Sequence, residues 1–92
     1  MEWRASHILV KDKRLADQIL KRAKMGASFE TLARENSTCP SKSKGGDLGW
    51  FGSGKMVAAF EAACKRLSSG SLSEVVSTQF GYHIIKLTGR KD

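Results

Sequence analysis

Apolar residues recur along this chain with two different periods, and the switches between them mark out the elements. The opening stretch "EWRASHILVK" predicts a strand over Trp3 to Val10, in which His7 alternates with Ala5 and Leu9 on the side a core would claim. A helical period follows: in "DKRLADQILKRAKMG" the apolar positions are Leu15, Ala16, Ile19, Leu20 and Ala23. Asp12 is placed to cap that helix and Gly26 to stop it. A second, shorter helix is predicted in "SFETLAREN", with Ser28 as N-cap and Thr31 in the box position. Its buried stripe is Phe29, Leu32 and Ala33, and it should end around Asn36. From Ser37 to Asp47, "STCPSKSKGGD" has no period, and its serines, glycines and lone proline predict a loop of the kind more often functional than not. "LGWFGSGKM" offers a very short strand at Trp50 and Phe51, then a glycine turn. "VAAFEAACKRL" predicts a third helix with Val57, Phe60, Ala63 and Cys64 inward.

After the turn "SSGS" come a strand in "SEVVS", a tight turn in "TQFG", and a last strand from Tyr82 to Leu87. There His83 shares a face with Ile85 and Leu87, while Tyr82, Ile84 and Lys86 take the other. The order predicts an α+β domain with helices packed around a small, mostly antiparallel sheet. If the first and last strands are neighbours, His7 and His83 lie side by side on one face.

Composition narrows the class without naming a chemistry. Ninety-two residues with 40% hydrophobic content and one proline predict one globular domain over 1–92. No apolar run approaches the roughly 18 residues needed to span a bilayer. The N-terminus lacks the basic-then-apolar pattern of a secretory signal, so a cytoplasmic location is expected. Two cysteines, Cys39 and Cys64, are too few for a disulfide scaffold and lack zinc-site spacing. The net charge of +7 implies attraction to polyanions. Lys13, Arg14, Lys21, Arg22 and Lys24 cluster on and beside the first helix, with Asp17 the one acid among them. That cluster is either a solvated helix face or a patch docking to an anionic membrane, which would place the protein peripherally at its inner face, or to nucleic acid. No aromatic interleaving or base-reading motif favours nucleic acid.

The two histidines are the sharper signal, because a group titrating near neutral pH is aimed at an apolar surface in both strands. Either one alone reads as a core histidine held by a hydrogen bond. Both together, with Cys39 in the long loop, read as a site. A Cys39–His83 hydrolase is a rival, although no third group is evident. Phe60 and Met56 could equally be core, and Cys64 is best read so. Leu48, flanked by glycines in "GGDLG", suggests backbone packed closely against something.

Four short motifs, "SHILVK", "GGDLGWF", "GKMVAAFE" and "TQFGYHIIK", stand here in the order found in parvulin-type peptidyl-prolyl cis/trans isomerases. The match runs from about Ala5 to Leu87, and the chain resembles the small single-domain prokaryotic parvulins. The resemblance implies a four-stranded, mostly antiparallel sheet surrounded by about four helices, and catalysis of rotation about X–Pro bonds without cofactor or metal. It also implies that His7, Cys39, Thr78 and His83 form a hydrogen-bonded catalytic floor. Leu48, Met56 and Phe60 would receive the proline ring, with Phe80 and Ser41 near the substrate. Partners would be proline-containing peptides and unfolded or flexible segments, met by a monomer. The phosphate-recognising branch has a basic insertion after the first strand, whereas "VKDKRLAD" passes straight into the helix. An apolar or uncharged residue before proline is therefore expected, over a phosphorylated one. The alternative function is a binding module that docks proline segments or anionic surfaces.

Overall fold

The computed structural model describes residues 1–92. Strand β1 (Glu2–Val10) leads into helix α1 (Lys13–Lys24) and helix α2 (Phe29–Asn36). A turn of 3₁₀ helix (Pro40–Lys44) precedes strand β2 (Asp47–Gly52), helix α3 (Ala58–Arg66), strand β3 (Val76–Thr78) and strand β4 (Gly81–Lys91). The sheet order is β2-β1-β4-β3, antiparallel throughout. Three α-helices and one 3₁₀ turn thus stand where about four helices were expected. No helix is long and apolar enough to cross a membrane.

Local chemistry explains where the helices start. The Asp12 carboxylate accepts from the Arg14 backbone N–H at 3.1 Å, and Ser28 Oγ accepts from Thr31 N–H at 3.3 Å. Each bond satisfies one amide that has no partner inside its helix.

Both faces of the two central strands are covered, so alternation here separates two cores rather than core from solvent. On one side Ile8, Val10 and Ile84 pack against Ile19, Leu20, Phe29 and Leu32 of α1 and α2. On the other, Trp3, Ala5, Ile85 and Leu87 pack against Phe51 of β2 and Phe60, Ala63 and Cys64 of α3. Cys64 is core as expected, and burial, then the charge of Glu61, push its thiol up to about 11.

Two strand boundaries differ from expectation. Strand β2 runs from Asp47 rather than Trp50, because Asp47 pairs with Ser6 of β1 across an irregularity that takes in Leu48 and Gly49. Strand β3 begins only at Val76: Ser73 takes the Ile85 N–H on its hydroxyl, at 3.0 Å, so a side chain replaces the backbone partner there.

Two glycines hold the loops close to β1. Gly46 has φ +90°, and a Cβ on it would lie 2.5 Å from the His7 carbonyl oxygen. Its own carbonyl accepts the His7 N–H at 2.9 Å. Gly81, at φ +135°, likewise lets the β3–β4 turn press on the Val10 carbonyl.

Candidate active site

Pairing of β1 with β4 sets Leu9 opposite His83 and His7 opposite Ile85, so the two histidines are diagonal neighbours on the α3 side of the sheet. Their Nδ1 atoms are 3.0 Å apart and their rings stack at 5.2 Å with 22° between planes. Phe60, reaching up from α3, sets its ring edge-on to both, at 5.6 Å from His7 and 5.7 Å from His83. The far nitrogen of His83, Nε2, lies 2.7 Å from Thr78 Oγ1, which also accepts the Phe80 N–H at 3.1 Å. A chain of hydrogen bonds therefore runs from the β3–β4 turn through Thr78 and His83 to His7.

Counting protons along this chain gives two self-consistent states. If the Thr78 hydroxyl donates to His83 Nε2, His83 donates through Nδ1 to His7, and His7 carries its own proton on Nε2. Reversing every bond leaves His7 Nε2 bare. In either state one Nδ1–H faces one lone pair, so the pair is neutral. Burial, reinforced by the neighbouring His83, lowers His7 to about 4. Burial, then the Lys11 charge, lowers His83 too. His7 Nε2 is buried and has no hydrogen-bond partner, an open position in an otherwise satisfied network.

Above the imidazoles lies a hollow of about 420 Å³ lined by seven hydrophobic residues among ten. Leu48, at the start of β2, and Met56, Val57 and Phe60, before and within α3, form its apolar wall; Leu9 and Phe80 close it. Cys39 and the two histidines complete it, and Lys55 stands at the mouth. Seven of the expected site residues thus meet in one concavity, with Thr78 bonded beneath His83.

Two expected placements need correction. Cys39 lines the hollow, but its hydrogen bonds are backbone ones, its N–H to Ser37 Oγ and its carbonyl from Lys42 N–H, so its thiol is a wall and not part of the bonded floor. Ser41 does not line the hollow. It sits inside the 3₁₀ turn, its carbonyl accepts from Gly46 N–H at 2.9 Å, and its hydroxyl is buried without a partner. Three further residues line the hollow: Leu9 and Val57, whose sequence pattern shows only that they face inward, and Lys55, whose sequence carries no signal beyond its place beside Met56.

The model of the PPIC-type PPIase (rotamase) domain matches residues 7–89. The chain belongs to the PPIC-type peptidyl-prolyl isomerase family. Among curated proteins, the foldase protein PrsA of Bacillus subtilis is 55% identical over 86 residues, which is 92% of this chain and 30% of that protein. The solved structure of PrsA from Bacillus anthracis matches with a TM-score of 0.97 at 53% identity, over 99% of this chain and 42% of the other. The parvulin NmPin of Nitrosopumilus maritimus matches with a TM-score of 0.85 at 43% identity, over 96% of both chains. This PPIC-type chain therefore spans about a third of the length of the PrsA relatives and nearly all of NmPin. Its α+β architecture is the parvulin one.

Proposed function

We propose that the hollow catalyses rotation about X–Pro bonds of flexible or unfolded protein segments, with an apolar or uncharged X preferred. The observation that carries this is an apolar cup set directly on a neutral, hydrogen-bonded imidazole pair. Amide resonance holds the C–N bond planar behind a barrier of roughly 18–20 kcal/mol. A planar amide is charge-separated, and the apolar wall of Leu48, Met56 and Phe60 disfavours that charge separation more than it disfavours the twisted, resonance-free state. The cup anchors the proline ring while the preceding carbonyl turns, and the Met56 thioether adapts to the moving ring. His83 and Thr78 hold His7 in a fixed orientation beneath it, so no reorganisation accompanies the twist. Each ~1.4 kcal/mol of preference for the twisted amide gives tenfold in rate.

The preference for an uncharged X is supported by the connection between β1 and α1, only Lys11 and Asp12 long, which leaves no loop to wrap a phosphate. Phe80, half-exposed at the rim, offers such a residue an apolar contact. A foldase role on unfolded clients is supported by the similarity to the PrsA foldase proteins.

Exchange NMR on X–Pro peptides with X varied tests this directly. The expected result is accelerated cis/trans exchange for X of Ala or Leu, with Thr78→Val and His83→Ala slower than wild type. No acceleration by the pure protein would sink the proposal, and faster turnover of phosphoserine–proline would overturn the preference.

A second role, docking to an anionic membrane surface, is favoured by one observation: Arg14, Lys21 and Arg22 of α1 form no ion pair, unlike Lys13 with Asp17 and Lys24 with Glu74.

A further inference from the structure

The hollow carries an unbalanced charge at its mouth. Of its ten lining residues Lys55 is the one full cation, and none is an aspartate or glutamate. The histidines add no charge near neutral pH, since burial lowers both. Lys11 stands close by, its amine donating to the Phe80 carbonyl at 2.6 Å. Neither lysine is ion-paired; the five ion pairs are made by Arg4, Lys13, Lys24, Lys65 and Arg90. The carboxylate of Glu61, which holds the glycine turn, is already engaged, accepting the Gly54 N–H at 2.7 Å and pairing with Lys65 at 3.3 Å. Two cations therefore border an apolar cavity with no countercharge facing them.

We infer that Lys55 is a specificity-determining residue: it favours proline segments that carry a carboxylate at a position flanking the X–Pro pair, and disfavours segments with lysine or arginine there. The selection rests on the isomerase reading and adds to it. Residue X itself lies against Phe80 and the imidazoles, while Lys55 adjoins Met56 of the ring cup and meets the chain to either side of the pair. Its amine is solvated, so the interaction is of the strength of an exposed ion pair and is screened by salt. It steers encounter and shifts apparent affinity, and leaves the twisting step to the cup and the imidazoles.

The test compares kcat/KM for peptides sharing one Ala–Pro core, with Glu, Gln or Lys placed in turn at each of the two positions before and after the pair. Wild type is expected to favour Glu over Lys by about two- to fivefold at one or more of these positions at low salt. The ratio should approach one in Lys55→Gln and invert in Lys55→Glu, and it should shrink in wild type as salt rises. Lys11→Gln, run in parallel, reads how much of the preference the second cation supplies. A Glu/Lys ratio unchanged by Lys55→Glu at every position would overturn the assignment. Failure of the isomerase proposal would look different, since wild type would then turn over none of the peptides, the Gln series included.

Discussion

His7 and His83 meet through like atoms, Nδ1 to Nδ1 at 3.0 Å, and that geometry admits one proton between them. A second would set two cations in contact inside an apolar wall, which is why burial and the neighbouring ring hold His7 near 4. The consequence for stability has a definite sign. The unfolded imidazole takes up its proton near 6.5 and the folded one only near 4, so between those values the unfolded chain binds more protons. Stability should therefore fall as pH drops from about 6.5 towards 4, by on the order of 2–3 kcal/mol for His7 alone. NMR titration of the His7 ring, beside thermal melts across that range, checks it; a His7 ring titrating near 6.5 in the folded protein would contradict it. The histidines were legible because a strand's two-residue period states which side chains share a face. The Cys39 thiol was not, because no period governs where a loop side chain points, and Ser41 went astray for the same reason. Lys55 was overlooked because a lysine on a glycine turn looks like any solvated loop residue.

Elements position the site through their backbones as much as through their side chains. The 3₁₀ turn ends on Gly45 and Gly46, and the Gly46 carbonyl holds the His7 amide while its missing side chain makes room for the His7 carbonyl. Gly46→Ala should thus displace His7 without altering any side chain in the hollow. The expected cost is about 1–3 kcal/mol of stability from the forced φ, with kcat/KM lowered about tenfold or more by the misplaced group. Gly70→Ala is the matched control, since Gly70 also has φ +90° but a Cβ there meets nothing within 4 Å. It should lose stability alone. Peptide exchange rates normalised to folded protein separate the two, and full activity in folded Gly46→Ala would refute the coupling. Helices α1 and α2 were readable from their caps and stripes because those signals are local. The extent of β2 and the late start of β3 were not, because they depend on what β1 and Ser73 offer across the sheet.

At the scale of the whole molecule, the +7 charge has a place: much of it stands on α1, across the sheet from the hollow. If that helix docks to anionic lipid, replacing Arg14, Lys21 and Arg22 together with glutamine should weaken binding to phosphatidylglycerol vesicles by about a hundredfold, at roughly 1 kcal/mol per cation. Cosedimentation at low and high salt measures this, and peptide exchange should proceed as in wild type. Unchanged vesicle binding in the triple variant would defeat the idea, and equal or tighter binding of duplex DNA would assign the helix to nucleic acid instead. The fold class could be read from the order of the elements, whereas the division of the interior could not, since it appears only when helices close on both sides of the sheet. That division separates two kinds of tolerance. Beneath α1 and α2, residues such as Ile19 and Leu32 answer to packing alone, so a swap that keeps their volume is tolerated. Beneath α3, Phe60 serves the interior and the imidazoles at once, and any drift there is judged twice.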